Sequence, residues 1–431
     1  MDAGDARGTG PNRPDEQRAV ITGYGAITPI GNSAAAYWEA LVGGVSGAGA
    51  ITHFDASGNE VRIAAEVKDF DPLKTMDMKM ARRMSRFVQF AVAAATEAIA
   101  DAGLAGIADW EPERRDRVAT IINTGGGGIE QVTMGSDAYR EKGGRFVSAF
   151  AIPALSPSMG ACMVSMKFGL TGAAITQAAA CATGVLAFQD ALRLIRAGEA
   201  DVVIAGGVEA PLLPMAFAAL ANMGALSRRN DDPTRASRPF DKDRDGFVFG
   251  EGGAVFVVES LAHARARGAA IRAELLGAGA TADAFHISAP EPTGRGAAGS
   301  MAKAIRDGGA VPEDVTYVVA HGTSTPLNDL TETKAIKRAL GEHAHTIPVS
   351  SPKSMVGHLL GGAGAVAGLA AVKAIETGIV PPTINYETPD PECDLDYVPN
   401  VARRGIAVDR VLINGFGFGG QNASALFGKV R

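Results

Sequence analysis

The strongest constraint on the fold is a repeated alternation of short β-branched segments with Ala- and Leu-rich amphipathic segments. Runs of the first kind are typical of buried strands, and those of the second kind are typical of helices. Such an alternation predicts an α/β fold in which parallel strands and helices pack in layers. The predicted strands span 19–25, 118–125, 173–180, 201–207, 254–260, 273–281, 316–322, 346–351 and 411–419, with helices between them, for example at 83–103 and 183–200.

The alternation runs through the chain twice, which predicts two fused α/β halves. The first half spans residues 18–260 and contains an insertion-like stretch at about 130–171, and the second half spans 261–431. Residues 1–17 are polar and Gly-rich and lack the apolar segment of a signal peptide. They are therefore predicted to form a disordered N-terminal tail.

Composition excludes several classes of protein. A net charge of −6 gives no global basic excess for nucleic-acid binding. The three cysteines, Cys162, Cys181 and Cys393, fit neither a disulfide framework nor a CxxC metal site, and a reducing cytoplasm suits them. The apolar run at 359–372 is shorter than the ~20 residues that span a membrane, so it is predicted to be a buried core helix. We expect a cytoplasmic protein with no nucleic-acid or membrane partner.

A possible calcium loop, DKDRDG, begins at Asp241. The twelfth position of that loop is Gly252, where a calcium site needs a bidentate Glu. An Asp–Arg pair that holds a turn is the preferred interpretation, and no metal site is predicted.

Cys181 is the strongest candidate for a nucleophile. The segment AAITQAAACATG predicts a strand that ends at Ala180, with Cys181 in the turn and a long helix starting within about two residues. Free backbone N–H groups and the positive end of a helix dipole lower a thiol pKa and can also hold an oxyanion. The alternative for any single cysteine is a small buried apolar residue, and this is the interpretation for Cys162 and Cys393.

Two later segments have a similar strand-to-turn arrangement. One strand runs into His321 and a polar turn that includes Thr323 and Thr325, and another runs into Lys353 and then His358. Ligand sites in α/β sheets lie at the carboxyl ends of the strands, and histidine suits proton transfer or charge stabilisation near neutral pH. A structural role remains the alternative for each histidine taken alone.

A final strand ends in the turn GFGFGG, which contains Gly417, Phe418 and Gly419. Glycines permit unusual φ angles and close backbone approach, so this turn could supply a second oxyanion N–H group. A dinucleotide-binding turn is the rival interpretation, but the spacing GxGxGG differs from the GxGxxG fingerprint.

Together these segments resemble the β-ketoacyl-[acyl-carrier-protein] synthases, in particular the type II elongating enzymes. The resemblance extends from about Arg18 to Gly428 and includes VITGYGAITPIGN, RPFDKDRDGFVFGEGG, SSPKSMVGHLLGGAGAV and GFGFGG. It implies a thiolase-like, duplicated α-β-α-β-α layered fold. Initiating synthases and thiolases match less well, because they have Asn or Cys where His358 stands.

The resemblance also implies a mechanism and the residues that perform it. Cys181 would take an acyl chain from a carrier-protein thioester, and a malonyl thioester would then lose CO₂. His321 and His358 would stabilise the enolate, and the backbone N–H groups of Cys181 and Phe418 would hold the oxyanion. Lys353 would tune the charge of the site. No metal or organic cofactor is implied, and the partners would be an acyl carrier protein and a second copy of the chain.

The substrate side of the site follows from the same resemblance. It assigns substrate contacts to Thr323 and Thr325, to Gly417 and Gly419, and to Phe418 as a gating residue. Two departures from the family pattern affect further positions. Gly126 stands where a bulky residue often narrows the acyl tunnel, which predicts a deeper tunnel. Ala367 stands where a Glu often pairs with the lysine, which leaves the partner of Lys353 open.

A basic stretch containing Lys79, Arg82 and Arg83 begins a predicted helix, and Arg145 is a further candidate for the same surface. A solvated charged helix face and a docking patch for an acidic carrier protein are both compatible with this stretch. Two rival functions also remain: a polyketide-type ketosynthase with the same chemistry, and a non-catalytic chain-length partner subunit. Cys181 argues against the partner subunit, because such subunits lack the nucleophile.

Overall fold

The structure, a computed structural model, describes residues 13–430. The strands are β1 (Ala19–Ile27), β2 (Gly49–Ala50), β3 (Ile63–Ala64), β4 (Val118–Asn123), β5 (Ala174–Ile175), β6 (Val202–Glu209), β7 (Gly252–Ser260), β8 (Ala273–Ala282), β9 (Tyr317–Val319), β10 (Val349–Ser350), β11 (Ile379–Val380), β12 (Arg403–Arg404), β13 (Arg410–Gly417) and β14 (Gln421–Gly428).

The helices are α1 (Ala34–Val42), α2 (Met78–Ala81), α3 (Arg86–Asp101), α4 (Pro112–Arg115), α5 (Glu130–Lys142), α6 (Ala151–Leu155), α7 (Met159–Phe168), α8 (Thr183–Arg196), α9 (Pro214–Asn222), α10 (Leu261–Ala266), α11 (Arg295–Asp307), α12 (Pro326–Leu340), α13 (Lys353–Val356) and α14 (Ala363–Thr377). Short 3₁₀ turns lie at Asp15–Gln17, Pro72–Lys74, Ile107–Asp109, Gly144–Phe146, Pro233–Arg235, Pro312–Asp314, Gly341–His345 and Leu360–Gly362.

The main sheet shows that the fold is duplicated. Its strand order is β10-β9-β13-β14-β8-β1-β7-β6-β4-β5. From the centre outward, each half places its first strand, then its fifth, fourth, second and third. The strand directions repeat as well: β4 is parallel to β5 and β6, and β9 is parallel to β10 and β13. The halves join where residues 19–21 of β1 pair with residues 273–275 of β8.

The helices complete a five-layer arrangement. α3 and α7 cover one half of the sheet, and α11 and α12 cover the other. α8 and α14 lie between the halves, contacting strands of both. The glycine at position 184 allows these two helices to pack closely. A Cβ there would lie only 2.7 Å from the Ala365 amide nitrogen and 3.0 Å from the Gly364 Cα. The duplicated, layered α/β prediction is therefore confirmed, and α8 and α14 are its central helices.

The sheet is mixed, so the expectation of parallel strands throughout is wrong. β7 is antiparallel to β1 and β6, and β14 is antiparallel to β8 and β13. β14 was not among the predicted strands. It follows β13 through the tight turn at Gly419 and Gly420, which have φ angles of +80° and +73°, and such a short connection joins antiparallel strands.

The strand predicted at 173–180 is much shorter than expected, because β5 ends at Ile175. The following residues leave the sheet, and individual side-chain hydrogen bonds hold them instead. The Thr176 hydroxyl donates to the Ile122 carbonyl, and the Gln177 amide donates to the Asn123 side chain. This bend carries the chain from the sheet edge toward Cys181.

The N-terminal boundary also differs from the prediction. Most of the predicted disordered tail, 1–12, lies outside the described residues. Residues 15–17 form a 3₁₀ turn, and the Asp15 carboxylate pairs with Arg265. This ion pair ties the end of the predicted tail to α10, so the prediction of disorder is wrong for these three residues.

The apolar segment near α14 is part of the core. Residues Leu360–Thr377 are long and apolar enough to cross a membrane by length and composition, but 78% of this window is buried inside the protein. The prediction of a buried core helix here is confirmed.

Candidate active site

Cys181 lies in a sharp turn immediately before the central helix α8. The turn depends on Ala180, whose φ of +47° lies in the left-handed region that costs a non-glycine residue roughly 1–2 kcal/mol. α8 begins at Thr183, as predicted, and the Thr183 hydroxyl accepts a hydrogen bond from the Ala179 amide. The strained residue is thus held directly beside the candidate nucleophile, where strain often accompanies function.

The duplicated topology explains why Cys181 and His358 meet. Cys181 follows the third strand of the first half and precedes α8, and His358 follows the third strand of the second half and precedes α14. The His358 Nε2 atom lies 3.0 Å from the Cys181 Sγ atom. The His321 ring, which follows β9, lies edge-on to the His358 ring with centroids 5.4 Å apart.

The three side chains form a compact, buried group. One ligand atom from each of Cys181, His321 and His358 lies within 4.8 Å of the others. Cys181 is 7% exposed and each histidine is 2% exposed. The structure therefore brings together the three residues that the sequence predicted from separate strand ends.

The backbone of the His321 turn is fixed by a buried carboxylate from α12. Glu332 accepts hydrogen bonds from the amides of His321 and Gly322 at 2.7 Å each, and another from the Asn414 side chain. One helical turn earlier, Asp329 accepts from the Thr323 amide at 3.0 Å. Neither carboxylate was singled out from the sequence, because nothing in the α12 pattern separates these two from acidic residues on an exposed face.

The pKa of Cys181 differs from the prediction. Burial raises it to about 12, although the nearby Lys353 ammonium and the backbone N–H groups of Phe418 and Cys181 lower it. The expected depression of the thiol pKa is therefore wrong. Near neutral pH the Cys181 side chain is a thiol, and the groups that oppose burial become important when charge develops during reaction.

The two histidines are neutral for a related reason. Burial lowers the pKa of His321 and His358 well below the usual histidine value, and the Lys353 charge lowers both further. No hydrogen-bond partner of either Nδ1 atom is found in residues 13–430. Neutral imidazoles with unpaired Nδ1 atoms are suited to donating from Nε2 toward a substrate oxygen.

Lys353 is a buried cation within this group. Burial lowers its pKa to about 8, while the charges of Glu332 and Asp329 raise it. The lysine forms no ion pair within 4.0 Å in the described part of the chain, and Ala367 lies in the apolar core of α14. The sequence left the partner of Lys353 open, because Ala367 replaces the Glu that often pairs with this lysine. In the structure Glu332 and Asp329 provide the negative charge near Lys353.

The glycine-rich turn approaches Cys181 closely from β13. A Cβ on Gly417 would lie 2.8 Å from the Ala179 carbonyl oxygen and 3.0 Å from the Cys181 amide nitrogen. This approach places the Phe418 N–H against the Cys181 Sγ, next to the N–H of Cys181 itself. Two backbone donors therefore lie beside the reacting sulfur, next to the place where the oxygen of an acyl carbonyl bound to that sulfur would carry negative charge. The Phe418 side chain is 37% exposed.

The remaining predicted substrate positions lie around this centre. Thr323 is buried and its hydroxyl is 2.9 Å from the half-buried Thr325 hydroxyl. Gly419 follows Phe418 and is exposed. Gly126 is also exposed, and a Cβ there would meet nothing closer than 3.5 Å, so the position is open.

A third buried carboxylate that was not singled out from the sequence holds the Gly126 loop. Glu209 at the end of β6 accepts from the amides of Gly125, Gly126 and Gly361 and from the Thr124 hydroxyl. Burial raises its pKa despite these donors. Its sequence context, a strand of apolar and Gly residues followed by Ala-Pro, could have indicated a buried carboxylate.

The predicted docking residues lie on the surface. Lys79 lies on α2, and Arg82 and Arg83 follow it in the break before α3, so the expectation that they begin the long helix is wrong. The Arg83 guanidinium lies 4.1 Å from the centroid of the Phe150 ring, and Arg145 is exposed in the neighbouring 3₁₀ turn. Among the described residues none of the four cations has an ion-pair partner within 4.0 Å.

The DKDRDG segment has the predicted structural role. Asp241 is fully buried and accepts from the Arg238 guanidinium at 3.0 Å and from the amides of Glu387 and Thr388 at 2.7 Å each.

Cys181, His321 and His358 form a set that could ligate zinc by residue type. The buried Lys353 charge beside them opposes a divalent cation.

Comparison with known proteins agrees with this geometry. Residues 16–264 match the family described as beta-ketoacyl synthase, N-terminal domain, and residues 272–387 match beta-ketoacyl synthase, C-terminal domain. The 3-oxoacyl-[acyl-carrier-protein] synthase 2 of Synechocystis sp. is 49% identical over 417 residues, which cover 97% of this chain and 99% of the relative.

Solved structures show the same fold. The ishigamide ketosynthase/chain length factor has a TM-score of 0.88 and 36% identity, covering 96% of this chain and 99% of that one. AntDE, a type II polyketide ketosynthase in complex with its acyl carrier protein AntF, has a TM-score of 0.85, 32% identity and the same coverage. The chain therefore belongs to the β-ketoacyl synthase family, and it is a condensing acyltransferase of fatty acid synthesis, of the 3-oxoacyl-[acyl-carrier-protein] synthase 2 type.

Proposed function

We propose that this chain elongates a fatty acyl chain by two carbons, with Cys181 as the nucleophile and His321 and His358 as the groups that stabilise the enolate. The observation that carries the proposal is the buried Cys–His–His group, in which Cys181 precedes the central helix α8 and His358 precedes α14, with two backbone N–H groups beside the sulfur. Such a group is suited to one acyl transfer followed by one carbanion attack.

In the first step the Cys181 sulfur attacks the carbonyl carbon of an acyl thioester. The N–H groups of Cys181 and Phe418 hold the developing oxyanion, and the carrier thiol leaves. The proton of Cys181 moves to the departing carrier thiol. The S–H bond of Cys181 and the S–C bond of the substrate break, and an S–C bond to Cys181 and an S–H bond on the carrier form. The Lys353 ammonium and the His358 Nε2–H, 3.0 Å from Sγ, stabilise negative charge on the sulfur.

In the second step a malonyl thioester loses CO₂. The electron pair of the broken C–C bond moves to the thioester oxygen, where the Nε2–H groups of His321 and His358 donate to the enolate. The enolate carbon attacks the acyl carbonyl on Cys181, the C–S bond breaks and the β-ketoacyl product leaves on its carrier. The Cys181 thiolate that remains takes up one proton from water, which restores the thiol. Burial of both imidazoles strengthens these hydrogen bonds, because water does not compete with them.

We propose that Lys353 acts by its charge, since its ammonium has no hydrogen-bond or ion-pair partner among the described residues. The carboxylates of Glu332 and Asp329 limit the cost of burying that charge. Phe418 is proposed to gate the entrance, and Thr323 and Thr325 to contact the arm of the incoming thioester. Gly126 leaves the inner end of the site open to long chains.

The partner that fits the surface is an acidic acyl carrier protein, and the AntDE structure shows a related ketosynthase with its carrier. We propose docking at Lys79, Arg82, Arg83 and Arg145, cations that have no ion-pair partner within 4.0 Å among the described residues. The Arg82→Glu/Arg83→Glu variant should raise KM for a carrier-bound substrate about tenfold or more and leave a small thioester analogue unaffected. An equal effect on both substrates would refute this surface.

A homodimer is proposed on two features of one edge of the molecule. β5 is the last strand of the main sheet and leaves its outer side open for pairing. The neighbouring helices α5–α7 expose large apolar side chains: Val132, Met134, Tyr139, Ile152 and Met166. Such a surface is typical of an interface, and a second copy can pair with β5 by two-fold symmetry.

The proposed location is the cytoplasm, where the free Cys181 stays reduced.

The decisive assay supplies an acyl-carrier thioester with an equimolar mixture of malonyl and methylmalonyl extender. A product two carbons longer, with release of CO₂, is the expected result. A polyketide-type enzyme, the second candidate, would prefer methylmalonyl or continue through several condensations. Identity to the fatty acid synthase relative, 49%, exceeds the 32% to the polyketide ketosynthase and favours the first outcome.

A further inference from the structure

A basic cavity lies far from Cys181, between the C-terminal end of α8, β8 and the last turns of α11. Its volume is about 470 Å³. Four cationic side chains line it, Arg193, Arg196, Lys303 and Arg306, against the single carboxylate of Asp307. The lining therefore carries a net charge of +3, in a chain whose net charge is −6. A cavity of one sign concentrates ligands of the opposite charge.

Arg196 is the one of the four cations whose carboxylate partner, Asp307, also lines the cavity. Asp307 holds the Arg196 guanidinium with two oxygens at 2.8 Å and also accepts from the Ala278 amide at 3.0 Å. The Arg196 Nε atom is buried and has no hydrogen-bond partner among residues 13–430. Arg196 is thus a guanidinium fixed at the cavity wall, where it contributes positive charge.

The other three cations are available to an anion. The Arg193 side chain is 66% exposed and reaches the Asp190 carboxylate only at 3.5 Å. The Lys303 ammonium donates to the Ala280 carbonyl oxygen at 3.0 Å, and Arg306 is exposed. Within the described part of the chain, Lys303 and Arg306 have no ion pair within 4.0 Å.

The cavity is separate from the condensing site. α8 has 14 residues and starts two residues after Cys181. The cavity is lined by α8 residues from Gln189 to Arg196, which at about 1.5 Å per residue lie roughly 12–22 Å along the helix from Cys181. The volume is within the range of small-molecule sites, and forked guanidinium groups match the geometry of phosphate oxygens.

We propose that this cavity binds a small diphosphate, either free or as part of a nucleotide, at a site distinct from the condensing site. The four donors surround a space larger than inorganic pyrophosphate alone, so a diphosphate ester can fill the rest of the cavity. The Gln189 side chain lines the same space and can hydrogen-bond an ester group.

The test is calorimetric titration of the full-length protein with inorganic pyrophosphate and, separately, with adenosine 5′-diphosphate at constant ionic strength. Saturable binding with one ligand per chain is expected. The Arg193→Ala/Arg306→Ala variant should bind about tenfold or more weakly. Both side chains are exposed, so the variant should keep the wild-type melting temperature without ligand. Tighter binding of the nucleotide would identify the source of the diphosphate as a nucleotide, and equal binding would identify pyrophosphate.

The matched control removes two exposed cations elsewhere, as Arg62→Ala/Lys142→Ala, and should bind like wild type. Absence of saturable binding by both probes would overturn the proposal, and so would equal loss in the control. Loss of carrier-protein binding in Arg193→Ala/Arg306→Ala without any binding of the two probes would also overturn it, in favour of a protein-docking face. Condensing activity is measured independently and does not depend on this result.

Discussion

The Gly417→Ala substitution tests the proposed oxyanion site through backbone geometry alone. The added Cβ would lie 2.8 Å from the Ala179 carbonyl oxygen and 3.0 Å from both the Ala180 Cβ and the Cys181 amide nitrogen. Ordinary contacts of this kind are 3.4 Å or more, so the two backbone segments must separate by roughly half an ångström. That displacement moves the Phe418 N–H away from the position where the oxyanion forms.

The expected consequence is a large loss of rate with a limited loss of stability. Loss or misalignment of one oxyanion donor costs about 10²-fold in turnover, and overpacking costs about 1–3 kcal/mol of unfolding free energy. Acylation of Cys181 by an acyl-carrier thioester, followed by quenched-flow mass spectrometry, should slow by that factor. The melting temperature of the variant is measured alongside, to show that the protein remains folded.

Gly58→Ala is the matched control, because a Cβ there meets no atom within 4 Å and the position is far in sequence from Cys181. It should acylate at the wild-type rate. If Gly417→Ala acylates within about threefold of wild type while folded, the proposed role of the Phe418 N–H is wrong.

Two further predictions concern charge and chain length. The pKa of Lys353 is about 8, and its cation is the form that stabilises thiolate and enolate, so turnover should fall as pH rises through about 8. Lys353→Met should lower the maximal turnover and remove this fall on the alkaline side of the pH profile. If the alkaline fall persists in the variant, Lys353 is not its source. Gly126→Ile should slow turnover of long acyl chains about tenfold or more and leave turnover of short chains unchanged, because the isoleucine side chain fills open space next to Glu209. Unchanged rates with long acyl chains would refute the prediction of a deeper tunnel.

The sequence predicted the layered architecture and the three residues of the Cys–His–His group. Strand and helix periodicity is a local property, and Cys181, His321 and His358 each follow a predicted strand end. Their meeting point depends on the duplicated topology, which places the third strand of each half before a central helix. Periodicity alone does not contain that pairing, and the resemblance to a known family supplied it.

The parts that the sequence did not predict depend on long-range contacts. The antiparallel strands β7 and β14 have the same local pattern as parallel ones, so strand direction could not be derived. Glu332 resembles a surface acid until the fold buries it against backbone amides. The pKa of Cys181 was predicted in the wrong direction, because the helix dipole is a local feature whereas burial arises from the whole fold.

Intact-mass analysis after incubation with an acyl-carrier thioester tests the central claim most directly. Wild-type protein should gain the mass of one acyl group per chain, and peptide mapping should place that group on Cys181. Cys181→Ala should gain none, while Cys162→Ala and Cys393→Ala should be acylated like wild type. Acylation of Cys181→Ala, or an acyl group on another residue of the wild type, would contradict the assignment of Cys181 as the nucleophile.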